Sequence, residues 1–165
     1  MNRRRFLEAG AVGALATTAG CTKAVVGTNR GNVVAKAVRG GGETLVSAGR
    51  DGATARDDYP GDVSARNVSV SDGAAKELRR AYGNPTYEVT IDHYRVAWPN
   101  DAKKGERKRY TTYRSLFNRI QVGDSVTFQP EPTNTGTISS VSCIAPDRES
   151  LLVRCSTGND DGAPM

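Results

Sequence analysis

The sequence predicts a mainly β protein: a small curled sheet or partly open barrel of about six to eight strands with one short α-helix. Three observations carry that prediction. Short apolar stretches alternate with polar residues at a period of two and are bounded by Gly, Pro, Asn and Asp. A single segment, Asp72 to Gly83, combines helix-start and helix-stop signals. The apolar parity also switches once inside Thr86 to Trp98, which calls for a bulge of the kind that curls a sheet. The 165 residues are 37% hydrophobic, 25% charged and 6% aromatic. A mean hydropathy of −0.52, with no apolar run near the roughly 20 residues of a membrane span, excludes a polytopic membrane protein. Three cysteines and one histidine are too few for a multi-ligand zinc, haem or iron–sulfur site, so neither metal nor cofactor is expected.

The chain opens on a leader. Arg3-Arg4-Arg5-Phe6-Leu7 is followed by a weakly apolar run, Ala9 to Gly20. As a helix that run covers roughly 18 Å, short of a ~30 Å hydrocarbon core, so it reads as a signal h-region and not an anchor. The paired arginines before two bulky apolar residues (Arg3, Arg4, Phe6, Leu7) resemble a twin-arginine export signal. Thr18-Ala19-Gly20-Cys21 resembles a lipobox, although Thr18 stands where bacterial lipoproteins usually carry Leu. Together these 21 residues resemble the leaders of twin-arginine lipoproteins of halophilic archaea, and the resemblance stops there. It implies export, acylation of Cys21 and anchoring to the outer face of the cytoplasmic membrane, with the membrane as partner through the N-terminal lipid. The alternative is ordinary cleavage after Ala14-Leu15-Ala16, leaving Thr17 as the first residue. Without the leader the chain holds 20 basic and 17 acidic residues, net +3. That departs from the strongly acidic composition usual in exported halophile proteins.

The organisation that follows is a signal peptide over 1–20, a lipid-anchored tether over 21–31, one β-rich domain over 32–156 and a flexible acidic tail over 157–165. Asn32 to Arg39 and Glu43 to Ala48 flank Gly40-Gly41-Gly42 and read as a hairpin. Gly49 to Asp62 reads as a long loop, and Val63 to Ser71 returns to a β pattern. In the helix, Asp72 is placed to cap the first amides and Arg79 and Arg80 lie near the C-terminal end of the dipole. Gly83 suits the left-handed position that ends it. Thr86 to Trp98 is the longest expected strand, with the bulge at Asp92-His93, an exposed imidazole there, and Arg107 to Tyr113 returning. Ser115 to Ile120 is a short helical turn. Val122-Gly123-Asp124-Ser125-Val126-Thr127-Phe128 then resembles a strand start seen in OB-like and SH3-like barrels.

Cys143 and Cys155 remain as an even pair, which in an exported chain favours a disulfide. Thr137 to Ile144 and Leu151 to Cys155 read as two strands of a hairpin turning near Glu149, which would set the cysteines opposite one another. Two separate buried thiols are the alternative.

No catalytic motif stands out. Asp92-His93 is the one place where a histidine adjoins a carboxylate, but adjacent strand residues face opposite ways, so a hydrolase built on this pair is the weaker reading. A basic stripe is more informative. Between Lys76 and Arg119 there are eleven Lys/Arg and five Asp/Glu, net +6. Arg95, Trp98, Lys103, Lys104, Arg107, Lys108, Arg109 and Tyr110 interleave cations with aromatics, as OB barrels do to hold single-stranded nucleic acid. Outside the cell an anionic envelope component (lipid headgroup or acidic glycan) is the better partner, and nucleic acid is disfavoured. The plain alternative is a solvated charged face with its aromatics turned into the core. The function expected is a non-catalytic binding or structural module of the cell envelope. A polyanion binder and a hydrolase using Asp92 and His93 are the alternatives.

Overall fold

The computed structural model describes residues 28–156. The expected export signal, the expected lipidation site Cys21 and the 157–165 tail lie outside the described residues. Twelve elements follow in order: β1 (Asn29–Gly40), β2 (Glu43–Gly49), β3 (Gly52–Ala55), β4 (Asp62–Val63), β5 (Val68–Ser69), α1 (Asp72–Tyr82), β6 (Thr86–Arg95), β7 (Arg107–Thr112), α2 (Arg114–Arg119), β8 (Ser125–Glu131), β9 (Asn134–Ala145) and α3 (Arg148–Ser156). The fold is mainly β, as the alternation predicts; α1 and the short α2 match the expected helix and the expected helical turn at Ser115 to Ile120, and α3 is an added helix.

The large sheet runs β3-β2-β1-β6-β7-β9-β8, and β8 returns to pair with β1. β1 makes this closure because its length serves two neighbours along one edge. Asn29–Asn32 pair with Ser125–Phe128 of β8, while Ala35–Gly40 pair with β2. Its other edge carries β6. β1, β6, β7, β9 and β8 therefore form a closed five-stranded barrel, antiparallel except where β7 meets β9. Counted along the barrel alone, the strand order is 1-2-3-5-4-1, with a parallel 3–5 pair and α2 between strands 3 and 4. That connectivity is OB-like, and the barrel is closed where a partly open one was expected. β2 to β5 and α1 form an insertion between its first two strands.

Inward alternation fills the barrel with Val33, Val38, Val89, Ile91, Tyr110, Val126, Phe128 and Ile138, and α2 adds Phe117. Two register skips bend the β1–β6 pair. Val34 is the extra residue on β1, and Tyr94 the extra residue on β6. The bulge thus lies at Tyr94, after the expected Asp92-His93. Val89, Ile91 and His93 keep one inward parity, and β6 ends at Arg95, so Val96 and Trp98 belong to a loop and not to a second strand phase. At 10 residues β6 is also shorter than β1 and β9, each of 12. Beside the skip, a Cβ on Gly31 would come within 2.3 Å of Ile91 Cγ2 and 2.6 Å of the Asp92 carbonyl oxygen. Only glycine admits that approach of two backbones.

The domain begins earlier than the 32–156 boundary. Asn29 to Gly31, assigned to the tether because they are polar, are already strand, and Asn29 is fully buried. The Gly40-Gly41-Gly42 hairpin forms as expected, whereas the long loop contains β3, an added strand on β2. In α1 the cap is Ser71, not Asp72: Ser71 Oγ accepts from the Ala74 amide at 3.1 Å. Gly83 ends the helix at φ 78°, its N–H donating to the Arg79 carbonyl.

Leu151 to Cys155 is helix, not strand. Asp147 accepts from the Ser150 amide at 2.7 Å and from its hydroxyl at 2.9 Å, so the Pro-Asp segment starts a helix where a turn was expected. Cys143 on β9 and Cys155 in the last turn of α3 nevertheless form the disulfide, their Cα atoms 6.2 Å apart. The bond pins α3 to the outside of the barrel.

Candidate functional site

The end of the barrel where the described chain begins is closed by the loop joining β6 and β7, residues 96–106. Asn29 Oδ1 accepts from the Ala97 amide at 2.9 Å and from Asn100 Nδ2 at 3.1 Å, tying that loop to the first residue of β1. Asn100 is its hub: Nδ2 also donates to the Tyr110 hydroxyl at 2.7 Å, and Oδ1 accepts from the Ala102 amide at 3.1 Å. Lys108 reaches Asn100 Oδ1 and the carboxylate of Asp101.

His93 lies beneath this loop, 1% exposed. Its Nδ1 is 2.9 Å from the Glu106 carbonyl oxygen and its Nε2 is 2.8 Å from the Tyr110 hydroxyl. A backbone carbonyl only accepts, so Nδ1 carries the proton and Nε2 accepts from Tyr110. The exposed imidazole expected from sequence is therefore a buried one with both ring nitrogens engaged. Asp92 points the other way and pairs with Arg107 at 3.5 Å. The residues of the hydrolase reading thus face opposite sides of the strand. The sequence held a signal for this, because His93 shares parity with Val89 and Ile91.

Burial pushes the His93 pKa below its ordinary value. The unfolded chain then takes up a proton near pH 6.5 that the native state refuses, so this residue's share of stability is present above that pH and is lost as pH falls below it. Tyr110→Phe, which leaves Nε2 without a donor, is expected to cost about 1–3 kcal/mol. Denaturant unfolding between pH 5 and pH 8 checks both statements.

The basic stripe divides into three groups. Arg107, Lys108 and Arg109 are paired with Asp92, Asp101 and Glu88 respectively. Tyr110, expected to be a stacking residue, is fully buried and leaves the stripe. The alternation of β7 explains this, since Lys108, Tyr110 and Thr112 share its inner parity. Arg95, Lys103 and Lys104 remain exposed around the loop, together with Trp98, which is 67% exposed. Glu106 shapes the turn beneath them by accepting from the Lys103 amide at 2.8 Å.

The outer face of strands 2 and 3, where OB barrels commonly hold ligands, presents Thr90 and the Glu88–Arg109 and Asp92–Arg107 pairs. Tyr87 and Tyr110 on those strands face inward, Tyr87 against Phe117 at 5.5 Å between ring centroids. Ion pairs and small side chains occupy the surface where stacking aromatics would be needed.

One buried group escaped the sequence reading. Lys36 is 1% exposed, and its Nζ donates to the carbonyls of Val68 at 2.8 Å and Ile120 at 2.5 Å and to Asn67 Oδ1 at 3.2 Å. It also stands 4.2 Å from the centroid of the Phe117 ring. Burial lowers its pKa from 10.5 to about 8, with the Asp124 charge opposing. All three ammonium protons are used, so the residue acts as a strut joining β1, the insertion and the end of α2.

Among the described residues, no group of three or more His, Cys, Asp or Glu side chains is placed to hold a metal ion, and no helix is long and apolar enough to cross a membrane. Comparison of the chain with protein-family models, with curated proteins and with solved structures found no match.

Proposed function

We propose that the chain is an exported, lipid-anchored protein whose OB-like barrel serves as a non-catalytic binding module for an anionic component of the cell envelope. The observation that carries this reading is the exposed set of Arg95, at the end of β6, with Trp98, Lys103 and Lys104 of the loop bonded to Asn29, where the chain passes into the barrel. Cations without carboxylate partners beside an exposed indole suit an anionic surface at that end. The leader motif supplies the anchor, through Cys21. A nucleic-acid binder using the sheet face is less favoured, because that face carries ion pairs in place of stacking aromatics. Fractionation of cells expressing the full chain tests the anchor: the wild type is expected with the membranes, and Cys21→Ser is expected to be released or to accumulate as uncleaved precursor. Replacing Arg3 and Arg4 with Lys should block export. Unchanged membrane partition of Cys21→Ser would remove the lipid from the account.

A further inference from the structure

We infer that the β6–β7 loop is the surface on which this domain rests against a layer of anionic lipid headgroups. In this arrangement Trp98 sits at the interface and Arg95, Lys103 and Lys104 face the phosphates. The inference rests on the anchored reading above and adds an orientation and a ligand class to it. Its first support is geometric. Thr28 stands seven positions after Cys21, a reach of at most roughly 25 Å. The chain then enters β1 at Asn29, whose side chain holds Ala97 and Asn100 of the loop at 2.9 and 3.1 Å. The other end of the 12-residue β1, at Gly40, lies roughly 35 Å away at about 3.3 Å per residue. An acyl group on Cys21 would hold the loop end near the bilayer and leave the Gly40 end facing outward.

The second support is chemical. Among the described residues, Arg95, Lys103 and Lys104 are within ion-pair distance of no carboxylate, unlike their neighbours Arg107, Lys108 and Arg109. Cations left unpaired beside a surface gain most from a negative potential, and the effect fades within a Debye length. Trp98, 67% exposed at the same end, has the amphipathic ring that settles at headgroup level.

Trp98 is the chain's single tryptophan, so its fluorescence reports on this surface alone. The exported protein, isolated as the cell makes it, would be mixed with or reconstituted into vesicles of one part phosphatidylglycerol to three parts phosphatidylcholine, with and without brominated acyl chains. A blue-shifted emission quenched by the brominated lipid is expected, with little of either in pure phosphatidylcholine. Lys103→Glu with Lys104→Glu should shift the docked-to-undocked ratio roughly 25-fold or more, at about fivefold per lysine near an anionic surface. The milder Lys103→Gln with Lys104→Gln should move it the same way by less. Arg79→Glu with Arg80→Glu, an equal charge change on α1 near the Gly40 end, should leave it unaltered. The anchor and the surface can fail separately: a mature chain without lipid that still shows quenched Trp98 on added anionic vesicles retains the surface and loses the anchor. Trp98 unquenched on anionic vesicles, quenching indifferent to the lysine reversals, or equal protection of Trp98 by single-stranded DNA at the same salt would overturn the inference.

Discussion

Lys36→Met is expected to lower the unfolding free energy by about 3 kcal/mol, and to flatten its dependence on pH between 8 and 10. The substitution leaves the carbonyls of Val68 and Ile120 and the Asn67 side-chain oxygen without their donor. Each buried acceptor left unpaired costs about 1–3 kcal/mol. Part of that loss is offset because a desolvated ammonium is removed with the side chain, and the lowered pKa measures how strongly burial opposes the charge. With a native pKa of about 8 against 10.5 for a free lysine side chain, the unfolded state binds more protons across that interval. Wild-type stability therefore rises with pH from 8 to 10, by about 2 kcal/mol from this group. Above pH 10 the trend reverses. Tyr59 and Tyr110 are held protonated by burial well above the usual tyrosine range, so the unfolded state ionises first. Urea unfolding of wild type and variant from pH 7 to pH 11 reads both effects. A variant within 1 kcal/mol of wild type, with the same rise, would show that Lys36 is not a strut.

Removing the Cys143–Cys155 bond, by reductant or by replacing both cysteines with Ser, is expected to cost about 3 kcal/mol within a range of about 0–5. The bond closes a loop of sequence separation 12. The effect should begin locally, because α3 spans only nine residues, too few to be stable without tertiary support. It buries Leu151 while leaving Leu152 and Val153 43% and 66% exposed. Amide exchange over 148–156 should quicken in the reduced protein before that of β6 and β7 changes. Thermal melts with and without reductant, with thiol labelling of the oxidised protein, give the outcome. Free thiols in the native protein, or identical melts, would contradict it.

How much of this was legible in the sequence varied with how local the cause was. The hairpin at Gly40-Gly41-Gly42 and the stop at Gly83 follow from turn and cap chemistry written within a few residues. The alternation of β6 also named its core residues, although reading His93 as polar hid that it continues the Val89 and Ile91 face. The same habit of reading charge as outward concealed Lys36, which the skip at Val34 turns inside. α3 was misread because Leu151-Leu152-Val153 is a short apolar run, which periodicity alone assigns to neither helix nor strand. The Asp147–Ser150 cap decides it. Closure of the barrel and the parallel β7–β9 pair join residues 26 apart or more, and no local pattern announces them. In the stripe, composition located the cations, but only the structure separates the paired Arg107, Lys108 and Arg109 from the unpaired Arg95, Lys103 and Lys104.

The intact mass of the mature chain recovered from the membrane fraction tests the central claim most directly, since location and orientation both depend on the anchor. The account predicts a chain that starts at Cys21 and carries a lipid adduct removed by chemical deacylation or ether cleavage. An unmodified chain starting at Thr17 would contradict it.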